Sequence, residues 1–106
     1  MSEYTFFEDL AGSVDSIPTE SIVSRTISRG GGLKAIVFAF APGQELSQHT
    51  AAVPAVLHFL EGEADLTLEA DRFTVKAGAW ARMDANLSHS IYARTPVKML
   101  LIMLGD

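Results

Sequence analysis

The sequence predicts an all-β domain, an antiparallel jelly-roll β-barrel. Two observations lead there. Eight or nine strand-length runs follow one another at short, regular spacing, and glycine or proline stands at nearly every junction between them. With 106 residues, the chain is of ordinary single-domain size, long enough for one core without cross-links.

Residues 1–20 are expected to form an arm ahead of a barrel spanning 21–106. Tyr4, Phe7, Leu10 and Ala11 share a helical spacing, whereas Phe6 and Phe7 suit an extended, docked segment equally well, and Pro18 ends either form. Strand character begins at Ile22–Arg29, which alternates weakly. Gly30-Gly31-Gly32 supplies the turn into Leu33–Ala41, a run apolar on both parities that needs cover on both faces. Pro42-Gly43 then opens a short polar run ending at His49. A small-residue bend (Ala51 to Pro54) leads to the apolar run Ala55–Leu60 and a turn at Glu61-Gly62.

Ala64–Glu69 and Arg72–Lys76 flank a turn at Ala70-Asp71 and read as a hairpin. After Gly78, the run Ala79–Met83 reaches a corner at Asp84-Ala85-Asn86, and Ser88–Arg94 carries His89 just beyond it. Pro96 separates this from Val97–Leu104, where Leu100, Ile102 and Leu104 occupy one parity and Val97, Met99, Leu101 and Met103 the other. Two such doubly apolar runs in so small a barrel predict a face covered by a second subunit, hence a homodimer. Cover by the N-terminal arm is the competing expectation.

Composition narrows the function. A net charge of −5 with scattered basic residues provides no stripe to neutralise phosphates, which argues against nucleic acid. No apolar run approaches the roughly 18 residues of a membrane-spanning helix. The acidic start MSEYTFFEDL lacks the basic region of a signal peptide, and there are no cysteines, so a cytoplasmic location is expected.

Two stretches carry what chemistry there is: Pro42–Gly62 with His49, and Gly78–His89. They resemble the paired motifs of the small single-domain cupins. The first motif of that family runs glycine, five residues, His-x-His, three or four residues, Glu, six residues, Gly; Gly43, His49 and Gly62 fall at their places. In the second, glycine, five residues, Pro-x-Gly, two residues, His, three residues, Asn, the matches are Gly78 and His89, with Asn86 at the second glycine's place. The departures bear on function. The resemblance implies four metal ligands, but Ala51 stands at the second histidine and Ala55 at the glutamate; Asp84 replaces the usual proline and Ala93 the asparagine.

The resemblance therefore implies a barrel that binds a small organic molecule between His49 and His89, with Leu57, Phe59 and Met83 as further lining, and with little or no metal. The alternative is a divalent-metal enzyme (iron, manganese, nickel or zinc) of the dioxygenase, isomerase or lyase type. There His49 and His89 would hold the ion and His58 would be the available third ligand. Strand parity opposes His58, because it sets Ala55, Leu57 and Phe59 inward and His58 outward. Trp80 and Tyr92 are read as barrel lining or core, and Arg82 as a partner for an acidic ligand or for Asp84, or as a solvated surface residue.

Overall fold

The computed structural model describes residues 4–105, and the N-terminal three residues of the expected arm lie outside them. Nine strands follow in order: β1 (Ile22–Gly30), β2 (Leu33–Phe40), β3 (Glu45–His49), β4 (Ala55–Glu61), β5 (Glu63–Leu68), β6 (Asp71–Lys76), β7 (Trp80–Met83), β8 (His89–Ala93) and β9 (Val97–Leu104). They form a five-stranded sheet, β1-β2-β9-β4-β7, and a four-stranded sheet, β3-β8-β5-β6, with every pairing antiparallel. This is the predicted jelly roll.

Phe40, Leu57, Phe59, Val97 and Met99 of the larger sheet face Ala64, Leu66, Ile91 and Ala93 of the smaller one, all of them buried. Fully burying a large apolar side chain is worth about 1.5–3 kcal/mol, so this layer carries most of the stability. Cross-strand register sorts the two parities of β9. Val97 pairs with Phe40, and Met99 with Phe38 and Phe59, on the inner face; Leu100 pairs with Val37 and His58, and Ile102 with Ala35 and Val56, on the outer face.

The glycine that closes the first motif, Gly62, sits where the chain leaves the larger sheet and enters the smaller. Its φ is 90°, and a Cβ there would run into the carbonyl oxygen of Pro96 just ahead of β9. Glycine is the residue that meets both demands.

The described part of the arm is irregular apart from a single 3-10 turn at Ala11–Ser13, and of the two phenylalanines expected to dock only Phe7 is half-buried, Phe6 being 76% exposed. Lys98 Nζ donates to the Ala11 carbonyl at 2.8 Å, Arg25 Nη1 donates to the Ser13 carbonyl at 2.9 Å, and the Arg25 guanidinium lies 6.0 Å from the centre of the Phe7 ring. Arg25 and Lys98 pair with Val37 and Ala39 on the outer face of the larger sheet. The arm therefore crosses that face within one chain, and Val37 and Ala39 are fully buried beneath it. Farther along the same face, Val56, His58, Leu100 and Ile102 remain half-buried, and Trp80 and Leu104 are exposed. Among the described residues, no helix is long and apolar enough to cross a membrane.

Candidate functional site

Two strands of the smaller sheet bring the motif histidines together. Strict alternation along β3 would put Leu46 and Gln48 on one face and His49 on the other. Leu46 pairs with the buried Ile91, and a β-bulge between Leu46 and His49 inserts one extra residue. That slip brings His49, itself exposed, opposite the buried His89. The ring centroids are 4.1 Å apart and the ring planes are inclined at 56°.

The surrounding loops hold the pair in register. Asn86 N–H donates to the Ala51 carbonyl at 2.7 Å, joining the bend after His49 to the corner before His89. Asn86 has φ 67°, a left-handed conformation that asparagine tolerates better than most residues, so it performs the service of the motif's glycine.

Each ring is anchored by its inner nitrogen. His49 Nδ1 lies 2.7 Å from the Ser47 carbonyl and His89 Nδ1 lies 2.9 Å from the Leu87 carbonyl. A carbonyl only accepts, so both Nδ1 atoms carry the proton, and in the neutral rings both Nε2 atoms present lone pairs. His89 is 5% exposed, and burial holds its pKa below the ordinary imidazole value. The bond to Leu87 opposes that shift, and the neighbouring His49 adds to it. The pair is thus a two-point acceptor.

A carbonyl-tethered Nδ1 with a bare Nε2 is how histidines bind metals. The donor set, however, is short. Ala51 and Ala55 carry only methyl groups, and Ala55 is buried in the core. His58 pairs with Leu100 and Trp80 on the outer face, so it is not brought to the pair, as parity predicts. Among the described residues, no three His, Cys, Asp or Glu side chains are grouped to hold an ion. Catalytic zinc takes three protein ligands and the iron facial triad needs a carboxylate, so two imidazoles alone do not fit a resident divalent ion.

The other expected site residues divide. Leu57 and Met83 are at most 2% exposed, packed in the core cluster. Phe59 is equally buried, and it also walls a cavity of about 300 Å³ between β6 and β7. Trp80, 61% exposed, borders that cavity, and Tyr92 lies on the outer face of the smaller sheet. Arg82 meets Asp84 at 2.9 Å, with both side chains well exposed.

One group escaped the sequence reading. Asp65 lies on the outer face of β5 with its side chain only 6% exposed. It accepts from Arg94 Nε at 2.9 Å, Arg72 Nη2 at 3.1 Å and Thr74 Oγ1 at 3.3 Å. The Arg94 bond, and after it Arg72, holds the carboxyl below its usual pKa against the opposing effect of burial; Arg94 is raised in return. This cluster ties β5, β6 and the end of β8 together, three register positions from His89. The arginines are 7 and 29 positions from Asp65, so only cross-strand register reveals them.

Residues 36–103 match the cupin domain family. The chain belongs to the cupins. Its fold is similar to that of a cupin superfamily protein from Desulfitobacterium hafniense, with a TM-score of 0.85 at 23% identity over 92% of this chain and 88% of that one. A conserved protein of unknown function from Streptococcus pyogenes is 28% identical, with a TM-score of 0.84, over 99% of this chain and 91% of that one. A cupin 2 conserved barrel domain protein from Leptotrichia buccalis is 32% identical over 90% of this chain, with a TM-score of 0.81; this cupin spans 46% of its length. No curated protein matches the chain.

Proposed function

We propose that this cupin is a binding module that holds a small organic molecule in its barrel, with the Nε2 atoms of His49 and His89 as its polar contacts and with little or no metal. The observation that carries the reading is the pair of tethered rings, 4.1 Å apart, which no third His, Cys, Asp or Glu side chain joins among the described residues. Neutral imidazole nitrogens of this kind accept hydrogen bonds, so the ligand brings a donor such as a hydroxyl or an amine.

The test is metal analysis of protein purified without a histidine tag, paired with a thermal-shift screen of small hydroxyl compounds. Substoichiometric metal, with stabilisation by hydroxyl compounds that His49→Ala or His89→Ala abolishes, is expected. Near-stoichiometric metal lost in both variants would overturn the reading in favour of a metal-dependent cupin enzyme. A homodimer is part of the same proposal. The apolar strip of Val56, Leu100, Ile102 and Trp80 lies beyond the arm, on the face where a second copy would pack.

A further inference from the structure

β6 and β7 are each one edge of their sheet, and they are not hydrogen-bonded to each other, so the barrel has a seam between them. The 300 Å³ cavity opens at this seam. Phe59, Leu66, Leu68, Val75 and Ala81 line it, and two of the most exposed aromatic side chains of the barrel, Phe73 at 47% and Trp80 at 61%, stand at its borders. Among the described residues no ionisable side chain lines it, and the Thr74 hydroxyl is already directed to Asp65. A charged group would lose its hydration there with nothing to replace it. An apolar cavity of about 150 Å³ is enough to take up benzene, so this one has room for a ring with a substituent.

The cavity also adjoins the histidines. Leu68, in its wall, pairs with His89 across the β5–β8 ladder, and directly opposed side chains lie about 5 Å apart. We propose that the seam is the seat for an uncharged aromatic ring whose hydroxyl reaches the histidine pair, so that the ligand is a small phenol. The choice of phenol rests on the function proposed above; the apolar seat rests on the cavity alone.

Toluene and 4-methylphenol separate the two. Titrations are followed by amide shifts in 1H–15N NMR spectra. Saturable shifts at Leu66, Leu68 and Ala81 are expected with both probes, and 4-methylphenol should bind about 3- to 10-fold more tightly, the gain expected of one hydrogen bond. Ala81→Phe, which fills the cavity, should abolish both; Ala79→Phe serves if that variant does not fold. His89→Ala should remove only the advantage of 4-methylphenol. Shifts from 4-methylphenol around His49 and His89 that survive Ala81→Phe would overturn the seam while leaving the histidine reading intact. Equal affinity for the two probes, unchanged in His89→Ala, would uphold the apolar seat and overturn the hydroxyl contact. The absence of saturable shifts with either probe would overturn the whole proposal.

Discussion

Replacing Gly62 by alanine tests whether the turn between β4 and β5 joins the two sheets as described. Two penalties apply. The backbone sits at φ 90°, where an L side chain costs about 1–2 kcal/mol. The new methyl would also meet the Pro96 carbonyl oxygen, with Thr95 Oγ1 2.9 Å away. A carbonyl fixed at the start of β9 cannot swing aside as a flexible side chain would, and overpacking of this kind costs about 1–3 kcal/mol. Gly78 provides the control, because its φ of 99° carries the first penalty while an added Cβ meets nothing within 4 Å. Urea unfolding followed by circular dichroism reads both variants. With a slope near 1.5 kcal/mol per M, Gly78→Ala should lower the midpoint by about 1 M and Gly62→Ala by about 1.5–3 M. Equal midpoints for the two variants would refute the steric argument, and an unchanged Gly62→Ala would refute both parts.

Four further outcomes are expected. His89 has a depressed pKa in the fold, so the unfolded chain binds more protons below its ordinary 6.5; stability should be full above that pH and decline as pH falls through the window beneath it, a slope that His89→Gln flattens in urea midpoints taken against pH. Asp65 is depressed below 3.8, so its contribution holds above that pH and is lost as pH falls through the folded value; Asp65→Asn should lower the midpoint at pH 7 and remove that acid limb, with Arg94→Met more damaging than Arg72→Met. Leu57→Ala should cost about 2–5 kcal/mol by the same assay, given its 1% exposure. Ile102→Lys should shift sedimentation from dimer to monomer without loss of fold, whereas Leu101→Lys, which faces Leu57 and Ile36 inside the barrel, should destabilise the fold itself.

Much of the scaffold can be read from punctuation. Val97–Leu104 begins and ends as β9 does, and the hairpin around Ala70-Asp71 emerges as β5 and β6, because turn residues state where pairing must stop. The doubly apolar character of Leu33–Ala41 and Val97–Leu104 is equally legible, but not what covers their outer faces. The arm does part of this through main-chain carbonyls at Ala11 and Ser13, and carbonyls are common to every residue type, so they leave no mark in a sequence. Long-range register is the other blind spot. Asp65 lies in a cleanly alternating strand and looks solvated until Arg72 and Arg94 are placed over it. The histidine pair could be anticipated from motif spacing, whereas its mutual geometry depends on a bulge that alternation alone would not have placed.

That bulge makes the candidate site sensitive to arithmetic more than to chemistry. Straightening β3 without shortening it would turn the first imidazole away from the face of Leu46, while Leu46 could still meet Ile91; removing the extra residue instead would let plain alternation keep the imidazole opposite His89. Substitutions that merely smooth the bulge could therefore silence this pocket in a descendant protein that keeps both histidines, whereas loss of one codon there would spare it.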